Sequence, residues 1–250
     1  MQLLKIDNPF GGAVEYHQSL GSTMDEAKSN SRHGAVVCCA LQTAGRGRTA
    51  ERRWFSKEGE SLTFTLSLAL SEITFPVTTV PLRSALALVK FLEKRFSLVC
   101  KIKWPNDVLV EGRKIAGILS EAGGGFVRVG IGLNCRQEGF PDDLRRPATS
   151  LFLTTCRLER PLELLAPLLE ELYRVFFCIE GGGLPAEVEP LLYGLGEEME
   201  YHEGRPGEAR PVRGRVYGIG PEGELQLLRK SGKIIYGRSK LQLKEKQMEL

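Results

Sequence analysis

The chain has 250 residues, a length that fits one large domain or a large domain with a small companion. Its 42% hydrophobic and 26% charged residues are the balance of an ordinary soluble globular protein. A net charge of +3 is too mild to indicate a nucleic-acid partner by itself, and no apolar stretch is long enough to cross a bilayer. The first residues, Met1-Gln2-Leu3-Leu4-Lys5-Ile6-Asp7, lack a basic segment followed by a long apolar run, so no secretory signal is expected. The cysteines are Cys38, Cys39, Cys100, Cys135, Cys156 and Cys178, with no Cys-x-x-Cys pair, and only His17, His33 and His202 offer imidazoles. A zinc site is not expected, and most of the cysteines read as small core hydrophobes in a reducing cytoplasm.

In chain order, Thr23-Met24-Asp25-Glu26 predicts a helix start with Thr23 as N-cap and Glu26 closing a capping box, the helix running to about Arg32. Val36 to Leu41 is a continuous apolar strand. Leu62, Phe64, Leu66, Leu68 and Leu70 alternate with Ser61, Thr63, Thr65 and Ser67, the period of a half-buried strand. Leu82 to Phe96 carries a helical apolar face. Ile102 to Val110 and Lys114 to Glu121 predict two strands joined by the turn Glu111-Gly112-Arg113, and Phe126 to Leu133 a further strand ending at Asn134. Leu162 to Ile179 predicts a helix that is regular after Pro167, broken by Gly181-Gly182-Gly183, with a short helix within Pro185 to Leu195. Beyond Gly196 the pattern changes to short strands over 212–219, 223–228 and 233–236, separated by turns such as Gly220-Pro221-Glu222-Gly223. The expected division is residues 1–195 as an α+β domain and 196–250 as a small β module.

Four strings stand out chemically. Gly45-Arg46-Gly47-Arg48 follows an apolar strand and Gln42-Thr43. Its glycines let a ligand approach the main chain, and its arginines offer planar donor forks to carboxylates and phosphates. It has neither the third glycine of a dinucleotide fingerprint nor the Gly-Lys-Ser/Thr ending of a P-loop. Lys103-Trp104-Pro105-Asn106-Asp107 brings a cation, an amide and a carboxylate together where proline sets the backbone direction. Lys114-Ile115-Ala116-Gly117 opens a strand whose small residues leave room against the backbone. Gly130-Ile131-Gly132-Leu133-Asn134 again pairs glycines with a polar strand end. Taken alone, each has an ordinary explanation as a turn, a strand edge or a solvated charge.

Together, these strings occur in the order and approximate spacing of biotin protein ligases, which the chain resembles over nearly its whole length. Gly21-Ser22-Thr23-Met24 resembles that family's Ser-Thr-Asn segment, and Gly214 to Leu227 the glycine-marked hairpin of its C-terminal SH3-like domain. The resemblance implies a mixed β-sheet catalytic domain flanked by helices, of the class II aminoacyl-tRNA synthetase-like kind, followed by a small SH3-like β-barrel. It implies a reaction in which biotin and ATP give biotinyl-5′-AMP and pyrophosphate, with Mg²⁺, before the biotinyl group passes to a lysine of a biotin carboxyl carrier domain, that of acetyl-CoA carboxylase being the implied acceptor. By resemblance the catalytic residues are Lys114, Arg48 and Asp107. Ser22, Thr23, Met24, Gln42, Arg46, Gly47, Arg48, Lys114 and Gly117 contact biotin. Arg46, Arg48, Trp54, Lys103, Asn106, Lys114 and Asn134 surround the adenylate, with Asn134 near Mg²⁺ through the phosphates.

The chain departs from the family pattern at Met24, where Asn is usual, and over Thr49-Ala50-Glu51-Arg52-Arg53, one residue longer before Trp54. The segment before Ser22 is too short for the winged helix of the repressor members, so no operator-DNA binding is expected. The expected protein is cytoplasmic, without membrane attachment, and a monomer or homodimer. A lipoate or octanoate ligase or transferase shares the fold and is the enzymatic alternative. A nucleic-acid-binding module using Arg46, Arg48, Arg52 and Arg53 is the non-enzymatic one, weakened by interspersed acids and the lack of an aromatic stacking string.

Overall fold

A computed structural model describes residues 1–47, 53–55, 57–141, 144, 146–179, 183–203, 210–237 and 242–243. Two sheets organise them. The larger contains β1 (Gln2–Leu4), β2 (Val14–Leu20), β3 (Val36–Gln42), β4 (Ser61–Ala69), β5 (Cys100–Lys103), β6 (Asp107–Val110), β7 (Arg113–Gly123) and β8 (Phe126–Asn134), in the order β1-β2-β3-β4-β8-β7-β6-β5. It is mixed: β2 and β3 run parallel, joined through α1 (Thr23–Ser29), and the other neighbours are antiparallel.

The two faces of this sheet are chemically distinct because side chains alternate along each strand. Leu62, Phe64, Leu66 and Leu68 of β4 and Val127, Val129, Ile131 and Leu133 of β8 are all buried on one face. The helices α2 (Val80–Phe96) and α4 (Leu165–Phe177) belong to the same core, packing against each other, with α2 also against β5 to β8. Pro167 lies in the first turn of α4, where its missing N–H costs no helical bond, so the helix begins two residues before it rather than after it. The opposite face carries Ser61, Thr63, Thr65 and Ser67, and here the half-buried expectation fails: all four are buried too. The helix α1 packs over β3, β4 and β8, covering part of the hydroxyl-bearing face.

Three local differences from the sequence pattern stand out. The N-cap of α1 is Ser22, whose extended backbone and Oγ, accepting from the Met24 N–H at 3.3 Å, serve the first turn. Thr23 is unavailable as a cap because its hydroxyl is drawn toward Gln42 and Thr65. The helix stops at Ser29, three residues short of Arg32. The expected strand from Ile102 to Val110 is cut in two by a turn at Trp104–Asn106, in which Trp104–Pro105 is cis. As expected for most of the cysteines, Cys38, Cys39, Cys100 and Cys135 are buried as small hydrophobes, while Cys156 and Cys178 are exposed.

The short α3 (Leu151–Thr155), α5 (Gly183–Val188) and a 3₁₀ turn at Glu189–Leu191 lead to the second sheet. Its strands are β9 (Glu198–Glu203), β10 (Arg210–Ile219), β11 (Leu225–Leu228), β12 (Ile234–Gly237) and β13 (Gln242–Leu243), all antiparallel, ordered β12-β11-β10-β9-β13. Of these, β9 and β13 had no periodic signal. Gly181-Gly182 lies outside the described residues.

The two sheets are fastened by specific bonds. The Trp104 indole N–H donates to the Gly223 carbonyl at 2.9 Å, and the Ile219 N–H donates to Glu189 Oε1 at 3.1 Å. Trp104 is buried, so replacing it by phenylalanine strands the Gly223 carbonyl without its donor. Trp104→Phe is expected to destabilise the protein by about 1–3 kcal/mol, read as a lowered denaturation midpoint. No described helix is long and apolar enough to cross a membrane.

Candidate functional site

The hydroxyl-bearing face of the large sheet opens into a cavity of about 460 Å³, within the usual range for small-molecule sites. Its floor is set by strand register. Thr63 of β4 pairs with Gly132 of β8, Gly132 with Gly117 of β7, and Gly117 with Asp107 of β6. This row crosses four strands, and its middle two members have no side chain. The result is a slot of bare backbone between a hydroxyl and a carboxylate. The Trp54 indole lies on that slot: a Cβ on Gly132 would stand 2.5 Å from its ring, and one on Gly117 would stand 3.3 Å from it. Among the described residues the buried Trp54 Nε1–H meets no acceptor.

At one end of the cavity, Gln42 Oε1 accepts from the Thr23 N–H at 2.8 Å and the Thr23 hydroxyl at 3.1 Å. That fixes the amide with its Nε2 end as the donor. Thr23 Oγ1 also lies 2.9 Å from Thr65 Oγ1, so a buried row of two hydroxyls and one amide is preorganised. Met24 is buried beside Gly130, where its terminal methyl carbon would stand 3.1 Å from an added Cβ. The stretch after β3 is held by the Thr43 and Ala44 N–H groups donating to Leu20 and Gly21, and by the Trp54 N–H donating to Gly45 at 3.0 Å. Arg46 lies at the cavity edge, its guanidinium donating to Asp25 at 2.6 Å and to Glu121. Lys28 joins the same network, 2.6 Å from Glu121. Burial pushes the Glu121 carboxyl up, but the Lys28 and Arg46 charges overcome it and hold the group below its ordinary value.

The cationic wall depends on a β-bulge. Val108 pairs with Ala116, but Leu109 pairs with Lys114, so β7 carries one residue more than β6. Simple alternation sets Lys114 and Gly117 on opposite faces; the extra residue turns the lysine onto the cavity side. Its ammonium would stand 2.8 Å from a Cβ on Gly117, and it lies 2.6 Å from Asp107 Oδ1. Burial raises the Asp107 pKa, and the charges of Lys114, Arg146 and Lys103 more than offset it, leaving the carboxyl below its ordinary 3.8. Asp107 is therefore ionised at neutral pH. Asn106 clasps β7 at Ile118, donating from its amide to the Ile118 carbonyl at 2.6 Å and accepting from the Ile118 N–H at its own carbonyl at 2.9 Å.

Most residues expected from the sequence are therefore gathered here. Ser22, Thr23, Met24, Gln42, Arg46, Gly47, Trp54, Asn106, Asp107, Lys114, Gly117 and Asn134 all line the cavity. Lys103 does not line it: the lysine is buried with its ammonium 5.5 Å from the Tyr193 ring centre and acts on Asp107 only as a nearby charge. Arg48 and the Thr49–Arg52 stretch lie outside the described residues, while Arg53 bridges to Arg46. Asn134 is buried with its amide donating to the Thr149 carbonyl at 2.9 Å and reaching that of Lys114 at 3.5 Å. It ties the 147–149 segment to β7. Thr65, Phe140, Leu144 and Arg146 also line the cavity. Thr65 was legible as one member of an alternating strand; the other three belong to an irregular segment with no motif.

Residues 16–136 match the biotin/lipoate A/B protein ligase family. The bifunctional ligase/repressor BirA of Bacillus subtilis (strain 168) is 38% identical over 152 residues, 56% of this chain and 46% of that protein. The biotin–[acetyl-CoA-carboxylase] ligase of Mycobacterium tuberculosis is 36% identical over 124 residues, 47% of this chain and 45% of that protein. The chain thus spans about half the length of these curated relatives. Among solved structures, the biotin protein ligase of Aquifex aeolicus in complex with biotin and ATP superposes with a TM-score of 0.82 at 26% identity, covering 93% of this chain and 99% of that one.

Proposed function

We propose that this chain, which belongs through residues 16–136 to the biotin/lipoate A/B protein ligase family, is a biotin protein ligase. In this reading it condenses biotin with ATP to biotinyl-5′-AMP and then acylates a lysine of a biotin carboxyl carrier domain. One observation carries the proposal. A single cavity joins a neutral hydrogen-bonding end at Thr23, Gln42 and Thr65, a bare glycine slot at Gly117 and Gly132, and a cationic wall at Lys114 and Arg146. A small polar ring with an acyl tail and a phosphorylated nucleotide demand these three environments in that combination. The name of the Mycobacterium tuberculosis relative supports the carrier domain of acetyl-CoA carboxylase as the acceptor, and we place the reaction in the cytoplasm.

The chemistry needs charge neutralisation rather than a nucleophilic side chain. A carboxylate attacks the α-phosphorus of an anionic nucleotide, and further negative charge collects on the phosphoryl oxygens and the leaving pyrophosphate. A lysine fixed in a partly dry wall lowers the cost of that build-up. The donor set does not fit a resident divalent ion. No three His, Cys, Asp or Glu residues cluster among the described residues, and both Asp107 oxygens face cations. The Asn134 amide nitrogen donates to backbone carbonyls and its Oδ1 accepts from Gln137 Nε2 at 3.4 Å, so we assign that residue a structural tie and Mg²⁺ to the nucleotide substrate. In the second step the acceptor lysine must shed a proton. We assign that proton to Asp107, an ionised carboxylate in the cavity wall, because a phosphate oxygen of the acyl-adenylate is a weaker base than a carboxylate. We assign the chemistry to residues 1–195 and an accessory role to residues 196–250.

Arg46 anchors the glycine loop through partly exposed ion pairs, each worth about 0–1 kcal/mol. Glu121→Ala is accordingly expected to raise the KM for biotin by at most about fivefold while leaving kcat nearly unchanged, as steady-state kinetics would show.

The function itself is tested by incubating the protein with ATP, Mg²⁺, a carrier domain and either biotin or lipoate, then weighing the carrier. The expected result is one biotinyl adduct on one lysine, dependent on ATP. An unmodified carrier, or equal transfer of lipoate, contradicts the reading.

A further inference from the structure

We propose that Arg146 is a positioning residue that takes over Asp107 when Lys114 leaves that carboxylate for the anionic ligand. The inference rests on the proposed ligase activity and assigns a task to a residue no motif marks.

The geometry divides one carboxylate between two cations. Lys114 Nζ stands 2.6 Å from Asp107 Oδ1, and Arg146 Nη1 stands 3.6 Å from Oδ2. All three side chains are largely removed from water, at 29%, 20% and 13% exposure for Lys114, Arg146 and Asp107. Lys114 Nζ carries three donors, and sharing them with an incoming anion draws the ammonium away from Asp107 Oδ1, now 2.6 Å distant. If Lys114 moves alone, Asp107 is left as a charge in a poorly hydrated wall, and removing one partner of such a pair is strongly unfavourable. A second cation already beside the other oxygen removes that obstacle. In the exchange Arg146 closes on Asp107 from 3.6 Å to about 2.8 Å, an ordinary charge-assisted distance.

The backbone makes this exchange local. The Lys114 N–H donates to the Pro147 carbonyl at 2.9 Å, and the Thr149 N–H donates to the Lys114 carbonyl at 2.9 Å. Lys114 and Ala148 thus form a parallel bridge, which sets Arg146 two residues from the lysine's pairing partner. Asn134 ties the same segment down through the Thr149 carbonyl. The arginine is therefore carried by the segment that pairs with Lys114, with no intervening element. The charged groups acting on Asp107 are Lys114 from β7, Arg146 from this segment and Lys103 from β5.

The test is biotin-dependent ATP–pyrophosphate exchange as a function of pH, for the unsubstituted protein and for Arg146→Gln, Arg146→Met, Arg146→Lys, Asp107→Asn and the Arg146→Gln/Asp107→Asn double variant. Arg146→Gln and Arg146→Met are expected to lower kcat/KM by about 10- to 100-fold, and Arg146→Lys to recover it to within about threefold. The acid limb should move to higher pH in the neutral variants and return in Arg146→Lys. The sign is fixed because a carboxylate with one cation fewer protonates sooner as the pH falls. In the Asp107→Asn background, Arg146→Gln should change the rate by less than about twofold, because the carboxylate it serves is gone. Near-normal exchange in both neutral variants overturns the inference. So does an equal loss with and without Asp107, which makes Arg146 a direct ligand contact or a structural residue. Absence of biotin-dependent exchange in the unsubstituted protein overturns the ligase reading, and this inference with it; activity there combined with normal neutral variants overturns this inference alone.

Discussion

Lys114→Ala is expected to leave the protein folded and to reduce biotinyl-adenylate formation by about 10²- to 10³-fold, the usual loss for one preorganised charge-stabilising donor. The lysine is partly exposed on a strand whose backbone bonds do not depend on its side chain, and its neighbours Ile115 and Ala116 hold the core. Arg146 remains beside Asp107 in the variant, so the carboxylate is not left alone. The loss should appear in kcat/KM for pyrophosphate exchange, with an unchanged far-ultraviolet spectrum and a denaturation midpoint close to that of the parent. Exchange within about threefold of normal would remove Lys114 from the charge-stabilising role.

Gly132→Ala is expected to weaken biotin binding by about 10- to 100-fold, roughly 1.4–2.8 kcal/mol, with little change in stability. The new methyl rises into the slot that runs from Thr63 to Asp107, where it meets the Trp54 ring at 2.5 Å. Trp54 belongs to no strand, so its ring can be displaced without breaking the sheet's hydrogen bonds, and alanine loses less chain entropy than glycine on folding. The cost therefore falls on whatever must lie flat against the two glycines. Calorimetric titration with biotin, paired with thermal denaturation, separates the two effects; an unchanged Kd would show that the ligand does not use the slot.

Much of this site was readable as strings of residues, and the reasons for the remainder are geometric. The glycine–arginine loop, the Asn106–Asp107 pair, Lys114 and the Gly130–Asn134 strand end are each ordinary alone and informative in their order, and Gln42 enters only through the family resemblance. Their convergence is a property of register: β4, β8, β7 and β6 must lie side by side before Thr63, Gly132, Gly117 and Asp107 form a row. Lys114 reaches that row only through the bulge in β7, and a period-two pattern does not signal an inserted residue. The serines and threonines of β4 looked like a solvent face because alternation reports which residues differ, not what covers them. Here α1 and the cavity cover them. Thr23 looked like the helix cap because the capping motif is degenerate over neighbouring hydroxyls, and tertiary contacts to Gln42 and Thr65 decided in favour of Ser22. Arg146 had no signal at all. Its place depends on a bridge to β7 that only the folded chain contains.

In the reaction we propose, this one cavity activates biotin with ATP before any acceptor arrives. A single-turnover measurement tests it most directly: protein in excess over biotin, with Mg²⁺ and ATP and no carrier domain, monitored for pyrophosphate. The expected result is a burst of one pyrophosphate per biotin added, with biotinyl-adenylate retained on the protein and no burst with lipoate. Absence of a burst, or a burst of equal size with lipoate, would contradict it.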